Sequence, residues 1–401
     1  MPPTLDALPT ELIHAITSHL LDPSPSTPAL ASLRLTSRAL AAAASTAPAF
    51  RTLFATITAD FACDAPSLRR LAAIAAHRDF GSCVRRIVLR TRYHDARRLR
   101  SGGGRVLRRV RGGDGEGEGM GFDGTQAAGE MVEAEREGRG GGGDAEVVER
   151  IFRDVAEGLR EVVLEVAVFE AEEGERRPAW TVLKVAAAAA GEGGGHGEGG
   201  AGENEKVRLW KAMARDFGVV VKAMARAQTR VEVLSIYGGE WGGGVVAAEV
   251  GRAMDAVPRP ALEACMARVK KISGFVSFGG LEDLSQELDG EGRENNFADR
   301  VGDFLGMAKE LEELDLLHHE SYRPTQEESS RALFQKMAVP IVGERIRSLR
   351  LRGFKVGAVD LLHLLQNAAD LQELELHEIH LQDGKWSEVF SLLPAYDIPA
   401  V

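Results

Sequence analysis

Residues 346–351 read IRSLRL, residues 371–376 read LQELEL and residues 311–316 read LEELDL. All three follow the form Φ-x-x-Φ-x-Φ, where Φ is an aliphatic side chain. Alternate side chains of a β-strand face the same side. Leu374 and Leu376 therefore enter one core while Glu373, Glu375 and His377 point away from it. Leu371 leads from the preceding loop into the same core. The frame recurs at Val84 (VRRIVL), Leu159 (LREVVL) and Val231 (VEVLSI), with a further unit placed near Val269 (VKKI). Amphipathic stretches with helical spacing precede the strands, at 67–77, 144–157, 207–227, 297–309, 331–339 and 359–368.

Helix-then-strand units stack as parallel strands with helices on the outer face, each unit burying its apolar side only against its neighbours. The pattern resembles leucine-rich repeats; Ile346 and Leu371 lie 25 residues apart, inside the usual repeat range. The alternative is an ordinary doubly wound α/β domain. Two tracts, 101–145 and 191–206, hold more than half of the 45 glycines and almost no aromatics. Such chains cannot bury enough apolar surface to offset the entropy of ordering, so disordered insertions are expected there. They divide the expected solenoid into a first repeat at 66–100, a second at 146–190 and the remaining repeats at 207–394. Gly119, Gly121 and Gly124 form GxGxxG inside the first tract. A dinucleotide fingerprint needs a strand before it and a helix after it, so this one carries no nucleotide reading.

The N-terminal 5–57 has a different texture. Leu8-Pro9 precedes a helix that starts near Thr10, where Thr10 can cap and Glu11 favours the positive end. Leu12, Ile13, Ile16 and Leu20 recur at helical spacing. A Pro/Ser-rich connection at 22–28 follows, then a second helix carrying Leu30, Leu33, Leu35 and Leu40 and ending before Pro48. A third apolar group comprises Phe50, Leu53, Phe54 and Ile57. About 50 residues barely support a core, so an exposed apolar face that seeks a partner is expected. The strings LPTELIHAITSHLL, LASLRLTSRAL and FRTLFATI resemble the F-box of filamentous-fungal F-box proteins. The sequence departs from the pattern in its extended Pro23–Pro28 connection. It also has Ser37-Arg38-Ala39-Leu40 where many F-boxes end helix two with Lys-Arg-Trp.

That resemblance implies the fold class α + α/β: a small N-terminal helical F-box followed by a leucine-rich-repeat-like α/β solenoid. It further implies docking on a Skp adaptor, and through it on a cullin scaffold, by Leu8, Pro9, Leu12, Ile16, Leu33 and Leu35. The implied function is a non-catalytic substrate receptor of an SCF-type ubiquitin ligase, in cytoplasm or nucleus, with an unidentified protein substrate. An F-box scaffold acting outside a ligase and an Arg/Gly-tract nucleic-acid binder are the alternatives.

The remaining signals are modest. A net charge of −11 argues against a dedicated nucleic-acid binder. Eleven arginines at 85–111 against Asp95 alone are balanced by eleven carboxylates and two arginines at 114–149, with only Tyr93 placed to stack on a base. Cys63, Cys83 and Cys265 form no CxxC pair and read as thiols in a reducing compartment. MPPTLDALPTELIHAITSHLL lacks a basic n-region, and no apolar run reaches the roughly 18 residues that span a bilayer, so neither a signal peptide nor a membrane partner is expected. GxSxG, GxxxxGK[ST] and HExxH are absent. His318, His319, His377 and His380 have no cysteine nearby, and His196 stands in a glycine tract; surface or loop histidines are expected, with no metal and no cofactor. The candidate substrate surface is the outward row of the last three strands: Asp315, Arg350, Arg352, Glu373, Glu375 and His377. If those strands are parallel neighbours, Arg350 lies between Asp315 and Glu375, roughly 5 Å from each strand.

Overall fold

A computed structural model of the chain describes residues 9–21, 40, 42, 46–61, 66–94, 143–169, 176–177, 200–238, 245–277, 295–319, 331, 334–335 and 345–391. Its backbone is an open, mostly parallel sheet with helices. The main strands are β1 (Thr56–Phe61), β2 (Arg86–His94), β3 (Glu161–Phe169), β4 (Val233–Ile236), β5 (Lys271–Ser277), β6 (Glu313–His319), β7 (Ser348–Arg352) and β8 (Glu373–His377). They lie side by side in sequence order, and each neighbouring pair is parallel. Lys355–Gly357 and His380–Asp383 form a small second parallel sheet just beyond β7 and β8.

Helices fill the connections: α1 (Thr10–Leu21), α2 (Pro48–Thr52), α3 (Pro66–Ala75), α4 (Gly143–Val155), α5 (Gly200–Arg226), α6 (Ala247–Asp255), α7 (Arg259–Met266), α8 (Asn295–Gly306), α9 (Ala358–Asn367) and α10 (Trp386–Phe390). Among the described residues, no helix is long and apolar enough to cross a membrane.

The Φ-x-x-Φ-x-Φ frame explains the core. Its first positions, Val84, Leu159, Val231, Val269, Leu311, Ile346 and Leu371, are between 0 and 6 % exposed. The residue after each one ties the unit to its predecessor: Arg160 N–H donates to Arg85 O, Glu232 to Arg160, Lys270 to Glu232, Glu312 to Lys270, Arg347 to Glu312 and Gln372 to Arg347, all at 2.7–2.8 Å. The later Φ positions, such as Ile87, Leu89, Val162, Leu164, Leu349 and Leu351, belong to one apolar core together with Phe152 of α4, Phe217 of α5 and Phe304 of α8. One buried core face thus runs the length of the sheet. At the end of β7 the chain turns through Gly353, at φ +75°, where a Cβ would meet the His318 carbonyl oxygen; only glycine fits that close approach. Cys265 is 1 % exposed, and burial pushes its thiol up to about 12, as for a core side chain. Cys63 lies outside the described residues.

Three sequence expectations are corrected. Ile57 closes no helical unit: it lies in β1, with Phe54, Ile57 and Ala59 as one more Φ-x-x-Φ-x-Φ frame, and Ala55 O accepts from Arg85 and Arg86 N–H as the later units do. The sheet therefore begins ten residues before the expected first repeat at 66. The helical backbone breaks at Ala47, before Pro48 as expected, and Pro48 opens the separate short helix α2, which suits a residue with fixed φ and no N–H to satisfy. Helix α5 begins at Gly200, inside the tract 191–206; past the glycines, GENEKVRLWKAM is rich in helix formers and carries Glu203 and Glu205 near the positive end. Helices α6 and α7 went unpredicted, and they supply the missing layer between β4 and β5. Residues 101–142 and 191–199, with the GxGxxG motif and His196, lie outside the described residues, as do most of 331–339.

Candidate functional site: helix α1 and the open sheet face

Helix α1 separates its apolar residues onto two faces. Ile13 is 4 % exposed and Thr17 is fully buried, its hydroxyl donating to Ile13 O at 2.8 Å. Leu12 and Ile16, one turn apart, remain 50 % and 37 % exposed. Pro9 stands exposed at the helix start, its carbonyl accepting from the Leu12 and Ile13 N–H groups. The expected single stripe is thus two stripes, one inward and one outward. Helix α1 rests on α2, with His14 Nε2 3.2 Å from Thr46 Oγ1. Beyond α2, Phe54 stacks on Phe80 at 4.3 Å and Phe80 on His77 at 4.1 Å, fastening the N-terminal segment to the sheet unit. Leu40 is buried and helical. Leu8, Leu33 and Leu35 lie outside the described residues.

The second surface is the sheet face turned away from the helices. Register aligns its side chains in rows across the strands. Asp315, Arg350 and Glu375 share one row; Leu317, Arg352 and His377 share the next; Glu313, Ser348 and Glu373 the previous one. Arg350 does sit between Asp315 and Glu375 in the backbone. Its side chain, however, turns to β8 alone: Nη2 is 2.8 Å from Glu373 Oε1 and Nε is 2.8 Å from Glu375 Oε2. Asp315 is bound by Arg352 instead, at 2.9 Å. His377 Nε2 lies 3.1 Å from Glu375 Oε1. Arg350 thus holds its direct cross-strand partner Glu375 and the diagonal Glu373, whereas Arg352 reaches Asp315 on a diagonal.

The ladder extends past the six residues singled out by sequence. Lys271 pairs with Glu313, Arg86 with Glu161, and Arg90 stands between Asp60 and Glu165. Between these charged ends, the face carries Val88, Val163, Val233, Ser235 and Ser273. Extending the repeat frame to Phe54 and Val269 identifies every one of these positions; Gly274 in the last Φ place hides the second unit from a search for aliphatic residues.

Hydrogen bonding shapes the charges. The Ser348 hydroxyl, with Arg350 next, holds the Glu373 carboxyl below the usual carboxylate range, and Glu373 in turn raises the Arg350 guanidinium. A depressed carboxyl contributes stability that is present at neutral pH and lost as pH falls through the depressed value, below 4.5. Ser348→Ala should therefore move the Glu373 midpoint upward, toward 4.5, in a carboxyl-detected NMR titration. An unmoved midpoint would show that the hydroxyl does not set it.

One buried polar cluster lies beneath the sheet. Thr91 Oγ1 donates to Asp216 Oδ2 at 2.7 Å and meets Tyr237 Oη at 2.9 Å, while Tyr237 donates to Met213 O at 3.0 Å and Arg215 Nη2 reaches Asp216 Oδ1 at 2.6 Å. Burial, with the Asp216 charge next, pushes the Tyr237 phenol well above its usual value. This cluster joins α5 to β2 and β4. His318 is 4 % exposed, its Nδ1 3.2 Å from Gly353 O and its ring 5.2 Å from Phe354, a core position and not the expected surface one. Facing the apolar side of β6 with Leu314 and Leu316, it alternates with the open-face residue Leu317. Among the described residues, no three His, Cys, Asp or Glu side chains converge to hold a metal ion.

Comparison with known proteins adds no family: no family model matches the chain, and no curated protein matches it.

Proposed function

We propose that this chain is the substrate-recognition subunit of an SCF-type ubiquitin ligase. In this reading α1 and the helical segment after it form an F-box that docks on the Skp adaptor and so on a cullin scaffold. The sheet and its helices form a leucine-rich-repeat-like solenoid whose open face holds the protein substrate. No catalytic residue is needed, because ubiquitin transfer belongs to the partners and the receptor contributes proximity and orientation. The complex acts in the cytoplasm or nucleus.

The observation that carries the reading is the exposed pair Leu12 and Ile16, one turn apart behind Pro9, within the string LPTELIHAITSHLL. Exposed large aliphatics on a short helix have no folding use, and a helix docked on a partner would cover them. Sequential strand order and the shared frame support the solenoid.

Leu12→Asp with Ile16→Asp is expected to abolish capture of the adaptor. A charge placed on an apolar interface stays unpaired there, costing several kcal/mol by order of magnitude, roughly 3 or more orders in affinity. Both side chains already face water, so circular dichroism and melting should change little. Adaptor retained at wild-type levels by a folded variant overturns the docking assignment. Adaptor retained by wild type without any cullin would instead favour a scaffold outside a ligase.

A further inference from the structure

We propose that the outer edge of β8 is a strand-addition site for an extended partner segment of alternating basic and apolar residues. The proposal stands on the sheet edge alone and is independent of the reading of α1.

Strand β8 ends the strand order, pairing with β7 on one side and with no further strand among the described residues on the other. A strand edge presents a row of backbone donors and acceptors that templates another strand. Its two faces differ in chemistry. On the core side Leu374 and Leu376 are only partly buried, whereas their register partners Leu349 and Leu351 are 0 and 1 % exposed. One more row of apolar side chains would complete that layer. The apolar side continues through Ile379, Leu381 and Trp386, which are also only partly buried, to Phe390, 53 % exposed and stacked on Trp386.

On the open side Glu373 and Glu375 share the single guanidinium of Arg350, leaving a formal charge of −1 among the three. The whole stretch 370–391 carries six carboxylates, Asp370, Glu373, Glu375, Glu378, Asp383 and Glu388, against Lys385 alone. Basic side chains on the open face of an added strand would meet Glu373 and Glu375 at cross-strand distance, with the other carboxylates adding to the local field.

Charge also selects against a second copy of this chain. Two-fold pairing of β8 with itself, centred on Glu375, sets that carboxylate opposite its own copy, and like charges directly opposite are destabilising. A strand with Lys or Arg on one face and Val or Leu on the other satisfies both faces at once. Such edge pairing draws affinity from main-chain hydrogen bonds and specificity from alternate side chains.

The probe is a labelled seven-residue peptide of alternating Lys and Val, blocked at both ends, titrated into the full chain by fluorescence anisotropy. Saturable binding is expected, weakening about tenfold or more between low and physiological salt, with slowed amide exchange confined to 373–383. The same peptide N-methylated at alternate residues should lose binding, because one edge can no longer donate. Glu373→Lys with Glu375→Lys should transfer preference to the corresponding Glu-Val peptide. Equal binding of the N-methylated peptide overturns the proposal, since charge alone would then explain it; that arm uses the unaltered protein. Absence of saturable binding, protection mapping elsewhere, or a dimer with β8 amides protected by self-pairing overturns it equally.

Discussion

Phe217→Ala should destabilise the sheet unit by about 3–5 kcal/mol, the range for truncating a fully buried aromatic. Phe217 is 0 % exposed and lies edge-on to Phe304 at 6.0 Å, joining α5 to α8 over the centre of the sheet. Around it Ile236, Val245, Val250, Ile272, Val301 and Leu316 line a small apolar cavity. Truncation enlarges a void that exists already, and the surrounding β-branched side chains are stiff at χ1 and collapse poorly into it. Gly274, with no side chain, lies on the same wall. The loss should shift the melting temperature by roughly 2–4 °C per kcal/mol. Phe217→Leu should lose much less, because it keeps most of the volume. Equal melting of the alanine variant and wild type would mean that this centre does not limit stability.

What the sequence made legible follows from what its residues had to do. Where a unit needs three aliphatics at fixed offsets, as at Leu311, Ile346 and Leu371, strand position and side-chain direction could be read directly, and so could the register that sets Arg350 between Asp315 and Glu375. Legibility failed where one residue satisfied two patterns. Phe54 and Ile57 fit a helical stripe as well as a strand frame, and only the Arg85 and Arg86 amides bonded to Ala55 O decide for the strand. The pair at α6 and α7 was hidden because Ala247–Asp255 and Arg259–Met266 are short and joined through Ala256, Val257 and Pro258, leaving no long periodic run. The outward residues Leu12 and Ile16 were legible through the F-box resemblance, but the division of α1 into an inward and an outward stripe was not. Leu12 and Ile13 are equally apolar, and their exposure depends on α2, which packs against only one side. Register alone does not determine ion pairing: Asp315 and Glu375 flank Arg350 equally in the backbone, yet its side chain turns to Glu375 and the diagonal Glu373.

Charge reversal at Arg350→Glu and Arg352→Glu should stop substrate capture while adaptor binding persists, lengthening substrate half-life in cells. In the native face these arginines hold Glu373, Glu375 and Asp315 at 2.8–2.9 Å. Reversal leaves those three carboxylates facing two new ones across strands spaced roughly 5 Å apart. Each lost pair still reaches solvent and is worth about 0.2–1 kcal/mol, and repulsion adds a similar amount, so the variant should still fold. Its core is untouched, since Leu349 and Leu351 point the other way and are 0 and 1 % exposed. Loss of capture alone would not separate recognition from a purely structural ladder. A compensated variant does: Arg350→Glu and Arg352→Glu combined with Asp315→Arg, Glu373→Arg and Glu375→Arg rebuilds the ion pairs with every sign exchanged. A ladder that serves only the fold regains both stability and capture. A face read by substrate charge regains its melting temperature and remains unable to capture the native substrate, because the pattern presented outward is inverted. Unchanged turnover in the folded double variant would remove this face from the recognition site altogether.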